Sequence, residues 1–181
     1  MSDYLFDAAE IRSLLADLGA ELERSGIHGE MYLVGGAAIA LAFDGRRTTR
    51  DLDAVFAPKN EIYRAAARVA ARRGIEADWL NDAVKGLIPG PDPDAVVAFD
   101  SPGLSVSVGS ARHLLAMKVA AARVDRDEDD IRILARACGF RTSREILDST
   151  TSVWGDPSRL LPKASFMVQE MFGPLDKPEW A

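Results

Sequence analysis

Asp51 and Asp53 stand one residue apart in the stretch RRTTRDLDAVFA, and their type and spacing suit the binding of divalent cations. On an extended strand, residues two apart project from the same face, about 6.6 Å apart along the chain. Their carboxylates can therefore converge on one or two ions. Mg2+ commonly takes one or two carboxylates and completes its shell with water and substrate phosphates. Leu52 and Ala54-Val55-Phe56 mark a strand buried on at least one face. Two like charges there repel one another unless a cation offsets them. The competing reading is a pair of solvated aspartates at the start of a strand.

A second feature lies just upstream. Gly35-Gly36 follows the apolar run MYLV and opens AAIALAF. A glycine pair between a strand and a helix lets backbone N–H groups approach an anion, where the helix N-terminus also favours negative charge. A tight turn, or close packing of strand on helix, accounts for such a pair equally well. The stretch GGAAIALA is not a Walker loop, because it has neither the lysine nor the spacing.

The elements that must position these residues follow from periodicity and turn signals. Residues 4–25 read as an amphipathic helix with Leu14, Leu15, Leu18 and Leu22 on one side. MYLV and LDAVFA are short strands, the second closed by Pro58, and AAIALAF is a short helix of small residues. KNEIYRAAARVAARRG is a helix, with Asn60 placed to cap its start and Gly74 its end. IEADWL reads as a third strand and IPGPDPD as a loop. AVVAF and LSVSV pair around the turn DSPG. Helices follow at 110–124, 127–138, 143–153 and within 157–172. The expected class is α+β: a small mixed sheet of about four or five strands flanked by helices. The division expected is a core with its N-terminal helix over residues 1–110 and a helical part over 111–181.

Charge is unevenly placed. The net charge is -6, which argues against a protein coated in positive potential. Residues 1–30 hold seven acids against Arg12 and Arg24, whereas residues 44–75 hold eight bases against four acids. Arg64, Arg68 and Arg72 recur every fourth residue and form one helix stripe. Such a stripe is a solvated face or, beside Arg46 and Arg47, a set of phosphate contacts. The single cysteine, Cys138, lies among apolar helix positions and reads as a buried structural thiol. No apolar run approaches the roughly 20 residues a membrane span needs. An acidic N-terminus is unlike a targeting segment, so a reducing cytoplasm is expected.

The order GGAAIAL…RRTTRDLD resembles the signature of the nucleotidyltransferase superfamily related to DNA polymerase β. It is closest to that of the AbiEii-like toxin nucleotidyltransferases, whose second motif is matched by Arg47, Thr49, Asp51, Leu52 and Asp53. DWLND at 78–82 and LLAMKVAAARVDRDEDDI at 114–131 resemble later family features, the latter a lysine followed by Arg-Asp-x-x-Asp. The resemblance runs from about residue 31 to 135. It implies a nucleotidyltransferase fold and an Mg2+-dependent transfer of a nucleoside monophosphate from a nucleoside triphosphate to an acceptor hydroxyl. The 3′ end of tRNA would be the acceptor and a cognate antitoxin a partner. Small-molecule transfer, as in antibiotic-modifying relatives, and a catalytically inactive binding role are the alternatives.

By the same resemblance, Asp51 and Asp53 would hold the metal, Gly35 and Gly36 would cradle phosphates, and Arg47 and Thr49 would support the nucleotide. Lys118 lies on an apolar helix stripe with Leu114, Leu115, Ala121 and Ala122. A lysine there either snorkels to water or meets an anion; the resemblance implies the phosphates of a nucleotide. Asp127 reads from its position as a helix N-cap, while the resemblance makes Asp127 or Asp130 an active-site carboxylate without choosing between them. Other superfamily members take a third carboxylate from a later strand, for which Asp78 and Asp82 are candidates. Asn81 is either a site residue or part of a turn signal.

Overall fold

A computed structural model describes residues 4–175, with backbone alone at 124 and 125. The chain divides into two compact units. The first takes the chain through Gly86 and then Asp94–Gly109; the second takes Leu87–Pro93 and the chain from Ser110 onward.

The first unit is a five-stranded mixed sheet with helices on one face. Its elements are α1 (Ala8–Arg24), β1 (Gly29–Val34), α2 (Gly35–Ala42), β2 (Leu52–Ala57), α3 (Lys59–Arg73), β3 (Leu80–Asn81), β4 (Val96–Ser101) and β5 (Leu104–Val108). Strand order is β3-β2-β1-β5-β4. The β1/β2 and β4/β5 pairs are antiparallel, and the β1/β5 and β2/β3 pairs are parallel. Alternation along each strand sends Met31, Leu33, Leu52, Ala54, Phe56, Leu104, Val106 and Val108 into the core. They join Ile11, Leu14, Leu15, Leu18 and Leu22 of α1, and Ile62, Ala66 and Val69 of α3, all buried. The opposite face of the sheet takes the polar partners of that alternation, among them Asp53, Ser105 and Ser107.

The uneven charge of the sequence has a structural cause: the acids of α1 meet the arginines of α3. Glu21 is only 4% exposed, yet it accepts hydrogen bonds from Arg68 (2.9 Å), Arg72 and Arg24 (2.9 Å). Arg73 bonds Asp17 at 2.7 Å and Glu10 at 3.2 Å, and reaches the Ser13 hydroxyl at 2.6 Å. Arg64 pairs with Glu61 on its own helix. The arginine stripe is the solvated face that its spacing suggested, with Arg64, Arg68 and Arg72 all exposed; from that face Arg68 and Arg72 also clamp α3 to α1 through Glu21.

Several expected boundaries move. The first helix starts at Ala8, because the Asp7 carboxylate caps it by accepting from Glu10 N–H, and Phe6 pairs instead with Thr49. Pro58, not Asn60, is the N-cap residue of α3; Gly74 does end it, in the left-handed conformation. The expected third strand shrinks to Leu80–Asn81. Trp79 turns inward, its indole N–H donating to the Ala66 carbonyl, which leaves Asp78 in an exposed turn.

The second unit is helical: α4 (Ala111–Ala121), α5 (Val124–Cys138), α6 (Ser143–Trp154) and α7 (Pro162–Phe172). A capping box of Thr142 and Glu145 starts α6. The Trp154 indole donates to the Ala116 carbonyl at 3.1 Å, tying α6 to α4. Asp92, on the segment that precedes β4 in sequence but belongs to this unit, accepts from Ser110 N–H at 2.7 Å and lies 3.3 Å from His113 Nδ1. α5 begins at Val124 after Arg123, so Asp127 is one turn inside the helix and is not its N-cap. Cys138 is half-buried at the end of α5, and burial pushes its thiol above the ordinary range despite Arg112 nearby.

Candidate active site

The register of two strand pairs assembles the first group of candidate residues. In the antiparallel β1/β2 pair, Val34 lies opposite Asp53, so the chain leaves β1 and enters the glycine turn directly beside that carboxylate. Gly35 adopts φ +67°, the left-handed conformation that side chains disfavour. A Cβ added there would stand 3.1 Å from Asp53 Oδ2, and one added to Gly36 would stand 3.0 Å from Thr49 Oγ1. The absence of side chains is what lets the turn close on the acid.

The loop before β2 is braced from two sides. Phe6 and Thr49 exchange backbone hydrogen bonds at 2.7 and 3.0 Å, and the Thr49 hydroxyl donates to the Asp51 carbonyl at 3.0 Å. Thr49 thus shapes the approach to the acid pair through the backbone. Arg47 is half-buried in this loop, its N–H bonded to the Asp44 carbonyl, while Arg46 pairs with Asp44 in solvent.

On the other side of β2, the parallel pairing with β3 places Asn81 next to Asp53. The Asn81 amide donates to Asp51 Oδ2 at 3.4 Å. Asp51 and Asp53 are both half-buried, and Asp53 lies on the sheet face opposite α1 and α3. Two carboxylates on such a face, beside a backbone turn rich in N–H donors, are hard oxygen ligands suited to Mg2+. Among the described residues, no group of three or more His, Cys, Asp or Glu side chains is placed to hold a metal ion. Asp51 and Asp53 are the residues that would hold such an ion, and one or two carboxylates is what Mg2+ commonly takes from a protein.

Asp82 is engaged elsewhere. Its carboxylate lies 2.5 Å from Lys59 Nζ and accepts from the Tyr63 hydroxyl at 2.7 Å. The Lys59 ammonium, followed by Tyr63, holds it below the ordinary carboxylate value. Asp78 is exposed in the turn before β3. The strand position beside Asp53 that each would have had to occupy is taken by Asn81, whose alignment depends on a two-residue strand that no periodicity reveals.

The second group lies within the helical unit. Lys118 Nζ is 2.8 Å from Asp127 Oδ1 and 2.9 Å from Asp130 Oδ2. Both carboxylates are buried, at 3% and 4% exposed, and the lysine side chain is 20% exposed. Lys118 does not snorkel away from its apolar stripe: it bridges α4 to α5 across a junction that turns through Ala122 in the left-handed conformation. Asp127 and Asp130 both pair with Lys118.

The order of these features along the chain has a counterpart among known families. The family described as nucleotidyl transferase AbiEii toxin, type IV toxin–antitoxin system, matches residues 16–133. No curated protein and no solved structure matches the chain. The matched span runs from α1 into α5 and covers the glycine turn, the aspartate pair and the Lys118 bridge. The chain belongs to the AbiEii nucleotidyltransferase toxin family.

Proposed function

We propose that the protein moves a nucleoside monophosphate from a nucleoside triphosphate to the 3′-terminal hydroxyl of an RNA, with tRNA as the acceptor, and that this transfer is Mg2+-dependent. The observation that carries the reading is the fit of the Gly35 turn against Asp53, where a single methyl group would crowd the carboxylate. Asp51 and Asp53 hold the metal. The Gly35-Gly36 backbone receives phosphate oxygens at the start of α2, where helix N–H groups favour an anion. Mg2+ bound there supplies neutralisation of triphosphate charge and a lowered pKa for an attacking hydroxyl. Chemistry of this kind is mainly positioning and electrostatics, so few side chains are required.

Lys118 donates a hydrogen bond to an oxygen of the departing pyrophosphate. Two of the three donors of its ammonium face Asp127 and Asp130, which position it. Arg47 and Thr49 support the nucleotide-binding turn. As a toxin, the enzyme would be held in check by a cognate antitoxin.

The test is transfer from labelled nucleoside triphosphates to total RNA with and without Mg2+, for the wild type, Asp51→Ala and Asp53→Ala. Each variant should lose transfer while keeping its circular dichroism spectrum. Transfer undiminished in both variants refutes the assignment of the acids. Label appearing on small metabolites, with none on RNA, refutes the acceptor. Expression in a host should arrest growth, and Asp53→Ala should relieve the arrest; a toxic Asp53→Ala variant refutes a toxin role based on transfer.

A further inference from the structure

We infer that Asn81 is a positioning residue for the cation site: it holds the Asp51 carboxylate in place and keeps the strand position beside Asp53 free of a third negative charge. The inference rests on the reading of Asp51 and Asp53 as metal ligands.

Two hydrogen bonds fix the orientation of the Asn81 amide. Its Oδ1 accepts from Ala83 N–H at 3.2 Å, and this determines which end of the amide faces the acids. The Nδ2 end is left to donate to Asp51 Oδ2, at 3.4 Å. An amide whose oxygen is engaged by the backbone, and whose N–H points toward the carboxylate, acts as a donor to a ligand and not as a ligand. Such hydrogen bonds to ligating groups fix their rotamers and are a regular part of metal sites.

The backbone makes this position rigid. The parallel ladder sets Leu80 against Leu52 and Asn81 against Asp53, and Leu52 N–H donates to the Trp79 carbonyl at 2.7 Å. The ladder ends there because the next residue, Asp82, turns to Lys59 and Tyr63. Trp79, 1% exposed, anchors the near end. Asn81 is thus held on both sides by residues committed to packing or ion pairing. An aspartate here would bring a third carboxylate to a face that already carries two, and the like charges would repel in the absence of a cation. The amide avoids that repulsion and supplies a donor.

The experiment uses the full-length protein with Mn2+ as the probe, its binding followed by electron paramagnetic resonance of free Mn2+, and thermal unfolding recorded in parallel. Wild type, Asn81→Ala, Asn81→Asp and Asp53→Ala are compared. Asn81→Ala should bind Mn2+ about tenfold more weakly, as removal of a hydrogen-bond partner of a ligand does. Asn81→Asp should bind Mn2+ more tightly than wild type, and its unfolding temperature should drop in metal-free buffer and recover on adding Mn2+. A lowered unfolding temperature in Asn81→Ala with Mn2+ affinity within about twofold of wild type means a purely structural role and overturns the inference. Failure of Asn81→Asp to tighten binding places residue 81 away from the cation and also overturns it. Equal Mn2+ binding by wild type and Asp53→Ala, in contrast, would refute the metal-ligand reading itself, a result separable from the other two.

Discussion

Replacing Gly35 by alanine separates the two reasons for a glycine at that position, because Gly74 provides a matched control. Gly35 has φ +67° and Gly74 has φ +66°, so an alanine meets the same backbone penalty at each. That penalty is about 1–2 kcal/mol for an L-residue in the left-handed region. For a chain of this size it lowers the unfolding temperature by about 2–8 °C in both variants. A stability of about 5–15 kcal/mol leaves both variants folded under assay conditions. The surroundings differ. A Cβ at Gly74 has nothing within 4 Å, whereas one at Gly35 lies 3.1 Å from Asp53 Oδ2 and 3.7 Å from its Cβ. Ordinary contact begins near 3.4 Å, so the carboxylate must retreat by about 0.3 Å. A 1 Å misplacement in an active site costs about 100-fold, so on a logarithmic scale 0.3 Å costs about fourfold. Loss of close phosphate approach to the turn adds to this. Gly35→Ala should therefore transfer label from a nucleoside triphosphate at no more than about a quarter of the wild-type rate, while Gly74→Ala transfers at the full rate. Both should unfold earlier by similar amounts. Equal transfer rates for the two variants, at matched unfolding temperatures, would refute the argument that the turn is fitted to Asp53.

Other consequences are open to direct measurement. Burial alone would raise the Glu21 carboxyl, but Arg68, Arg72 and Arg24 more than offset it and hold it below the ordinary 4.5. A depressed folded value means that this stabilisation is present above about pH 4.5 and is lost as pH falls through the folded pKa. Glu21→Gln should accordingly flatten the acid limb of the stability–pH curve, read from urea midpoints; an unchanged limb refutes the clamp. Asp82→Asn should lower the unfolding midpoint, through loss of the Lys59 and Tyr63 contacts, without altering the transfer rate. A large loss of transfer would instead make Asp82 part of the reaction. Thr142→Ala removes the capping hydroxyl of α6 and should cost about 1 kcal/mol in urea unfolding. With burial raising its thiol, Cys138 should react with iodoacetamide more slowly at neutral pH than a free cysteine peptide.

The parts of this architecture that depend on local pattern were legible in the sequence. The glycine turn, the aspartate pair and most of the helices follow from periodicity and from residues adjacent in the chain. The fold class did too, because strands and helices alternate early and helices close the chain. What was not legible depends on register and long-range pairing. The two-residue β3 is too short to carry a period, so Asp78 looked like a strand residue when Asn81 holds that place. The start of α5 was hidden because Arg123 offers no capping side chain, and the acids at 127–130 imitate a helix beginning one turn later. The arginine stripe of α3 was visible, but its partner Glu21 lies 47 residues upstream of Arg68 and is found only once α1 packs on α3.

That internal pairing bears on how a nucleic acid would be attracted. Counterions condensed on RNA are released only by cations that the protein brings to the backbone, at about 0.7 per neutralised phosphate on a single strand. The basic block of the sequence suggests eight such cations, but Arg68, Arg72 and Arg73 are already matched by carboxylates of α1. The ionic-strength dependence of RNA binding should consequently be shallow. RNA binding that weakened steeply with added salt would have to draw its cations from somewhere other than the seam between α1 and α3.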